Sequence, residues 1–308
     1  MEIPFRLDIV NGKPWVGLLE TGAEIFAHSC LDAEVQRMVK QGHARQIVPL
    51  DDMAASALEL QGVIFHMTAC GSKLVTNWLT ANGFRVVSES TVIAHLDNVV
   101  DSSSQRRLLL AKIVGLYANS GLRSTVPTLL KLSARSLNLL EDIRALNPQV
   151  PVVFLARNPL EVIASNLDNP RGWVRAKEST PRFAARFLEL PESHLADMSL
   201  EEYMARTLAR MCVLALPFLG RRTLVLDYQN LDSCSLNLLS NLLGRGHSHK
   251  KRLSASNCLS YYDGVSSGDP FHCANLAKLS RVRPSFVEAC DRWAIPAYRC
   301  LLETAGQN

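Results

Sequence analysis

The sequence predicts an α/β protein in which a parallel β-sheet is flanked by helices, with a small N-terminal cap. From residue 62 onward, strand-like and helix-like segments alternate, as they do where helices connect parallel strands. Most of the strand-like segments are near-continuous apolar runs, which is typical of strands buried on both faces. The chain has 308 residues, of which 47% are hydrophobic, and this is enough for one large core.

Residues 1–58 precede the alternating pattern and are predicted to form the cap. Two short strand-like pieces, RLDIV and WVGLL, are followed by a helical pattern near LDAEVQRMVKQG. The main α/β domain is then expected to span residues 59–308.

Five strands and seven helices are predicted after the cap. The strands are GVIFHMT (62–68), FRVVSE (84–89), PTLLKLS (127–133), PVVFLAR (151–157) and RTLVLDY (222–228). The helices are KLVTNWLTAN, SQRRLLLAKIVGLYANS, SLNLLEDIRALN, PLEVIASNL, SLEEYMARTLARMCVLALPFL, SCSLNLLSNLLG and PSFVEACDRWAIPAYRCLLETA.

Two irregular segments interrupt this pattern. Residues 169–197 contain three prolines and mixed charges, which suits either a lid facing a substrate or a plain surface connection. Residues 245–270 begin with a basic stretch rich in Gly, Ser and His.

Composition and cysteine spacing exclude several classes of function. The net charge of +4 is too small to indicate a nucleic-acid partner. Eight scattered cysteines without a CxxC pair argue against a zinc ribbon and favour a reducing compartment. The N-terminus lacks signal-peptide features, and no 18-residue apolar run occurs, so we expect a cytoplasmic protein without a membrane partner.

Metal and serine-hydrolase chemistry find little support in the sequence. The HSH stretch at 247–249 has no third ligand nearby, and neighbouring cations would repel a metal ion. No GxSxG motif is present. We therefore expect neither a metal site nor a serine nucleophile.

The stretch FHMTACGSKL at 65–74 joins the first strand of the main sheet to a helix. Backbone amides at the start of such a helix, together with its dipole, can bind an anion. Ser72 adds a hydroxyl and Lys73 adds a charge, but the stretch does not match GxxxxGK[ST]. By itself it is a weak indication of a phosphate site.

A second motif, VFLARNPLEVIAS, occupies residues 153–165 and ends the fourth strand. Arg157 would lie at the carboxyl end of that strand, where such sheets bind ligands and where an arginine can form a bidentate phosphate contact. Ser165 on the next helix could reach the same phosphate. The alternative is that Arg157 forms an ordinary ion pair with Glu161, four residues later.

Taken together, these segments resemble sulfotransferases that use 3′-phosphoadenosine 5′-phosphosulfate. RNPLEVIAS resembles their 3′-phosphate segment, and FHMTACGSKL resembles the 5′-phosphosulfate loop of bacterial and carbohydrate-type members. LVLDYQNL, LLKLS and the last helix are similar to further segments of that family. The resemblance covers roughly residues 60–308 and implies a three-layer fold like that of P-loop nucleoside triphosphatases.

The resemblance implies a set of donor-binding residues. Those surrounding the 5′-phosphosulfate would be Ala69, Cys70, Gly71, Ser72, Lys73 and Leu74. Arg157 and Ser165 would hold the 3′-phosphate, and Tyr228 would lie near the adenine. The loop at 245–252 would close over the 3′-phosphate, through one of the basic residues Arg245, Lys250, Lys251 and Arg252.

The resemblance also implies a general base and a cation for the leaving group. Glu89, at the end of the second strand, matches the base of the carbohydrate-type members, and a surface glutamate is the alternative. His95 is the nearest match to the histidine of the cytosolic branch. The family's loop cation aligns with Ala69, so we expect Lys73 to replace it, with Lys131 or His66 as further candidates; His66 also fits a buried core histidine.

The expected activity is transfer of a sulfonyl group from 3′-phosphoadenosine 5′-phosphosulfate to a hydroxyl or nitrogen of a small metabolite or natural product. A homodimer is compatible with the sequence. Two alternatives stay open, namely an ATP-dependent small-molecule kinase and a non-catalytic nucleotide-binding protein of the same fold. Arg157 and Ser165 argue against the kinase because ATP has no 3′-phosphate.

Overall fold

The computed structural model shows an α/β protein with two β-sheets. It describes residues 1–28, 31–43, 45–53, 60–96, 100, 102–119, 126–167, 170, 172–220, 222–244 and 279–307. The larger sheet is parallel and flanked by helices, and the smaller one is antiparallel and forms the N-terminal cap. The predicted fold class is therefore confirmed.

The cap is a three-stranded antiparallel sheet in the order β1-β2-β3. Its strands are β1 (Glu2–Val10), β2 (Lys13–Glu20) and β3 (Arg45–Pro49), and helix α1 (Leu31–Lys40) precedes β3. Asn11 and Gly12 join β1 to β2 with φ angles of 52° and 75°, as a type I′ hairpin turn requires. Strand β3 was not predicted, because it is a short, largely exposed edge strand with only two consecutive aliphatic residues, Ile47 and Val48.

The main sheet has five parallel strands in the order β5-β6-β4-β7-β8. These strands are β4 (Leu60–His66), β5 (Arg85–Ser88), β6 (Thr128–Ser133), β7 (Val152–Ala156) and β8 (Thr223–Asp227). Every predicted strand is present, with ends that differ by one or two residues. Four of the five strands are almost wholly buried, which explains their strong sequence signal, whereas β8 is mostly half-buried.

The seven helices predicted after the cap are present, and four further short helices were not predicted. The helices after the cap are α2 (Ser72–Ala81), α3 (Thr91–Ala94), α4 (Ser103–Asn119), α5 (Leu139–Leu146), α6 (Pro159–Leu167), α7 (Gly172–Ser179), α8 (Pro181–Leu188), α9 (Glu192–Asp197), α10 (Leu200–Ala215), α11 (Ser233–Leu243), α12 (Pro284–Ala289) and α13 (Ile295–Gly306). A single π-helical stretch, Cys290–Ala294, joins α12 to α13.

The central strand β4 determines where a ligand can bind. It pairs with β6 on one side and with β7 on the other, so His66 lies beside both Ser133 and Leu155. The chain therefore leaves β4 at a point where the strand order reverses. In open α/β sheets, the crevice at the carboxyl ends of the strands next to such a point is the usual ligand site.

The cap packs against the main sheet and shares its hydrophobic core. The Tyr117 hydroxyl of α4 donates a hydrogen bond to the Pro4 carbonyl at 2.8 Å. The Lys112 ammonium donates to the Leu50 carbonyl at 3.0 Å. Residues 54–59, which hold the predicted domain boundary, lie outside the described residues, so the division at 58 stays a prediction.

The two irregular segments differ in what the structure describes. Residues 172–197, within the segment predicted as a lid or a connection, form the three short helices α7, α8 and α9. Residues 245–270 lie outside the described part of the chain. Among the described helices, none combines the length and the apolar character needed to cross a membrane.

Candidate active site

The loop between β4 and α2 has the backbone shape of an anion-binding turn. Ala69 and Gly71 both have left-handed φ angles, 58° and 77°. The Met67 amide donates to the Leu155 carbonyl at 3.0 Å and ties the loop to β7. The first helical hydrogen bond runs from Val75 N to Gly71 O at 3.2 Å, so the amides of the first turn of α2 face the end of the helix.

Gly71 is enclosed by the segment after β8. A Cβ atom at this position would lie 3.0 Å from Tyr228 Cδ2 and 3.0 Å from Leu231 Cδ2. Both the left-handed φ angle and this close approach therefore require glycine. The loop backbone is thus held directly against Tyr228, the residue that the family resemblance links to the adenine.

Cys70 is a buried structural thiol. Only 2% of the residue is exposed, and its Sγ donates to the Met67 carbonyl at 2.6 Å. Burial raises the pKa of Cys70 to about 12, against the opposing charges of Lys131 and Arg157. A thiol that stays protonated at neutral pH is not a nucleophile.

Arg157 connects three parts of the site. The residue is only 5% exposed, and its Nη1 donates to the Ala69 carbonyl in the loop. Its Nε donates to Glu161 Oε2 at 2.8 Å, so the ion pair that the sequence offered as an alternative is present. The guanidinium also lies 4.1 Å from the centre of the Tyr228 ring. Arg157 is therefore buried among the loop, α6 and the end of β8.

Ser165 and Tyr228 border the same region. Ser165 lies one turn beyond Glu161 on α6, so both residues are on one face of that helix. Tyr228 follows β8 and is 9% exposed. Burial raises the pKa of Tyr228, although the neighbouring charge of Arg157 opposes that effect.

A second cluster of charged side chains lies where β4, β5 and β6 end. The Glu89 Oε1 atom lies 3.0 Å from Lys131 Nζ and 3.3 Å from His66 Nε2. Lys131 has no exposed surface, and His66 is 7% exposed. His66 Nδ1 lies 3.1 Å from the Met67 carbonyl, which places the imidazole between Glu89 and the loop.

Glu89 is the exposed member of this cluster, with 39% of its side-chain surface accessible. Its burial alone would raise its pKa, but the hydrogen bonds and charges of His66 and Lys131 outweigh that effect. The net result holds the pKa of Glu89 well below its usual range. Its φ angle of 56° is unusual for a non-glycine residue, and its amide donates to the Lys131 carbonyl at 2.7 Å.

Lys73 and His95 are placed differently. Lys73 is exposed at the second residue of α2, and His95 is exposed at the end of α3. Neither side chain forms a hydrogen bond or ion pair with another described residue. Of the three residues predicted to act in catalysis, only Glu89 joins a cluster of charged groups.

Two members of that cluster were named only as secondary candidates from the sequence. His66 fitted a core histidine, and Lys131 was one of two possible helpers for Lys73. Their positions near the strand ends could have identified both residues, because polar residues near the carboxyl ends of adjacent parallel strands converge at one edge of the sheet. The basic residues Arg245, Lys250, Lys251 and Arg252 lie outside the described residues.

Within the described part of the chain, no three His, Cys, Asp or Glu side chains are arranged to hold a metal ion. The HSH stretch at 247–249 lies outside that part.

Comparison with known proteins adds one finding. No protein-family model and no curated protein matches the chain. Among solved structures, the chain is similar to the sulfotransferase domain from the Synechococcus PCC 7002 olefin synthase. The identity is 16%, the TM-score is 0.38, and the match covers 79% of this chain and 93% of that one.

Proposed function

We propose that this protein is a sulfotransferase that uses 3′-phosphoadenosine 5′-phosphosulfate and acts on a small metabolite or natural product. The acceptor would offer a hydroxyl or an amine or amide nitrogen. The observation that carries the proposal is the convergence of the 67–71 loop, Arg157 and the Glu89–Lys131 pair at one edge of the sheet. An anion site would thereby adjoin a carboxylate and a buried cation.

The loop and Arg157 are suited to a nucleotide with two anionic groups. Gly71 allows close backbone approach, and the N-terminus of α2 favours negative charge. Arg157 has the planar fork that binds phosphate. Glu161 already pairs with Arg157, so a 3′-phosphate would compete with this carboxylate for the guanidinium.

The donor would supply the sulfonyl group, and the chain would supply a base and a cation. Glu89 would accept the proton of the acceptor group as the new bond to sulfur forms. The bond between sulfur and the bridging oxygen would break, and Lys131 would stabilise the negative charge left on that oxygen. No covalent intermediate with the enzyme is required.

The low pKa of Glu89 bears on how it would work as a base. While Lys131 and His66 hold it, the carboxylate is ionised but weakly basic. An anionic ligand beside Lys131 would share the charge of that lysine. The pKa of Glu89 would then rise toward its ordinary range, and its basicity would increase when the site is filled.

Thermal shift with three nucleotides tests the proposal directly. A ligand present at 100 times its Kd adds about 2.7 kcal/mol of stability. We expect a large shift with adenosine 3′,5′-bisphosphate and little with AMP or ATP. The shift should shrink in Arg157→Lys and in Ser165→Ala, the second of which leaves the buried guanidinium contacts intact.

The two alternatives are outcomes of the same measurement. Stabilisation by ATP but not by the bisphosphate would contradict the proposal and favour a kinase. A bisphosphate shift without any release of bisphosphate from the donor would favour a non-catalytic nucleotide-binding protein. The observation behind this last alternative is that Ala69 stands where the resembling enzymes have a cation.

Two lysine variants test which cation replaces the one missing at Ala69. We expect Lys131→Met to abolish release of bisphosphate from the donor, because Lys131 is the cation beside Glu89. Lys73→Met is the matched comparison on the exposed side of the loop. If Lys73→Met abolishes turnover while Lys131→Met keeps it, the assignment to Lys131 is wrong and the sequence-based one to Lys73 is favoured.

A further inference from the structure

A cavity of about 280 Å³ lies beside the end of β6, and none of the residues assigned above lines it. The turn after β6 contributes Arg135, α8 contributes Phe183, Arg186 and Phe187, and α10 contributes Arg210. Arginine and phenylalanine therefore line one space. The proposed sulfonyl transfer uses none of these residues.

Arg135 lies against two aromatic rings, and two of its side-chain nitrogens are buried. Its guanidinium lies 4.2 Å from the centre of the Phe183 ring and 5.6 Å from that of Phe187. The Nε and Nη2 atoms are buried and have no hydrogen-bond partner among the described residues. Burial lowers the pKa of Arg135, but a guanidinium stays charged at neutral pH. Buried charged donors normally have partners.

The other charges of the cavity are also mainly positive. Arg210 Nη2 pairs with Glu189, while its Nε is buried without a partner in the described part of the chain. Arg186 is exposed and lines the same cavity. Three arginines thus face one carboxylate, and that carboxylate is already paired with Arg210.

We infer that this cavity is a binding site for a small organic acid, that is, an oxyanion carried on an apolar or aromatic body. Guanidinium groups match the oxygen atoms of a carboxylate or a phosphate, and Arg135, Arg186 and Arg210 all line the cavity. The rings of Phe183 and Phe187 and the side chain of Leu214 supply apolar walls for the rest of the ligand. A cavity of about 280 Å³ is larger than an inorganic anion alone requires.

The site lies close to the proposed reaction centre along the chain. Arg135 follows Lys131 by four residues, and four residues span at most about 14 Å. The inference does not depend on sulfonyl transfer, because it rests on the Arg135 cavity alone. Binding of an organic acid and binding of the bisphosphate can therefore succeed or fail separately.

Calorimetric titration of the full chain with simple probes tests the site. Benzoate and phenyl phosphate carry the two oxyanions on the same ring, and benzamide is the uncharged counterpart of benzoate. We expect saturable one-to-one binding of benzoate or phenyl phosphate, with whichever binds more tightly identifying the oxyanion. Benzamide should bind at least roughly tenfold more weakly, since it lacks the charge-assisted contacts.

Variants assign the binding to Arg135. Arg135→Gln should weaken the tighter probe roughly tenfold to hundredfold, and Arg186→Gln should weaken it less. Arg182→Gln is the matched control, because Arg182 is exposed on α8 and does not line the cavity. If Arg135→Gln does not fold, the comparison of Arg186→Gln with Arg182→Gln still decides the outcome.

Several results would overturn the inference. One is that neither benzoate nor phenyl phosphate binds saturably at millimolar concentration. Another is that benzamide or inorganic phosphate binds as tightly as the better probe. A third is that Arg186→Gln and Arg182→Gln weaken binding equally. A parallel titration with adenosine 3′,5′-bisphosphate keeps the two proposals apart. Failure of benzoate and phenyl phosphate alongside tight bisphosphate binding would reject only the organic-acid site.

Discussion

Gly71 illustrates how single residues shape the candidate site. It adopts a left-handed φ of 77° and lies against Tyr228 and Leu231. Another glycine, Gly42, has a similar φ of 80° after α1, but a Cβ there would have no atom within 4 Å. Comparing substitutions at these two glycines therefore separates the free-energy cost of the left-handed backbone from that of close packing.

We expect Gly71→Ala to destabilise the protein more than Gly42→Ala does. A left-handed φ costs an alanine about 1–2 kcal/mol in either position. Gly71→Ala adds the crowding against Tyr228 and Leu231 and should weaken bisphosphate binding as well. Urea unfolding and nucleotide titration measure both effects. Equal losses of stability in the two variants would show that the side chains of Tyr228 and Leu231 move aside without a free-energy penalty.

At the scale of elements, the cap helix α1 contacts α3, the short helix that follows β5 in the main domain. Asp32 Oδ1 accepts a hydrogen bond from the Thr91 amide, the first residue of α3, at 3.1 Å. Burial raises the pKa of Asp32 from 3.8 to about 6, the Thr91 contact opposes this, and the charge of Glu89 adds to it. The cap therefore carries a titrating group next to the candidate base.

Asp32→Asn should stabilise the protein at pH 8 and have little effect at pH 4. The folded state holds the Asp32 proton more tightly than the unfolded state, so wild-type stability falls as pH rises from about 4 through about 6. At about 1.4 kcal/mol for each pKa unit, the gain at pH 8 is up to about 3 kcal/mol. Asparagine keeps an oxygen acceptor for Thr91.

Urea unfolding at both pH values, compared between variant and wild type, measures this gain. Asp52→Asn is the control, because Asp52 is an exposed carboxyl in the same cap. A gain of equal size at pH 4 and pH 8 would contradict the assignment to Asp32 ionisation.

For the whole molecule, the question is whether the cap and the main sheet unfold together. They share one hydrophobic core, and buried hydrogen bonds such as that from Tyr117 to Pro4 cross between them. Tyr117 also lies 2.9 Å from Ser90 Oγ. These contacts favour a single cooperative unit over two independent domains.

Tyr117→Phe should speed hydrogen exchange in β1 and β4 by the same factor. Loss of the hydroxyl leaves the Pro4 carbonyl without this donor and costs about 1–3 kcal/mol. Mass spectrometry of the exchanged peptides gives the two factors. Tyr203 lies outside the cap, on α10, and its hydroxyl donates to the Trp173 carbonyl at 2.8 Å. Tyr203→Phe should also speed hydrogen exchange in β1 and β4 by one common factor. Faster exchange confined to β1 in Tyr117→Phe, or to β4 in Tyr203→Phe, would instead indicate two units.

Much of the architecture was predictable because it depends on local patterns. All five strands of the main sheet were predicted, four of them from near-continuous apolar runs, and helical periodicity identified the long helices. The loop at 67–71 and the position of Arg157 at a strand end were predicted from the same alternation of strands and helices. The edge strand β3 was not predicted because it is short and largely exposed, so its apolar stretch is limited to Ile47 and Val48.

The sequence by itself determined the order of strands and helices and the residue types at the strand ends. Only the tertiary structure decided that Lys131 and His66 meet Glu89, because strand register and order place them together. It likewise brought Arg135 together with Phe183 and Arg210. Such contacts join residues distant in sequence, and they arise only when the sheet and its covering helices pack.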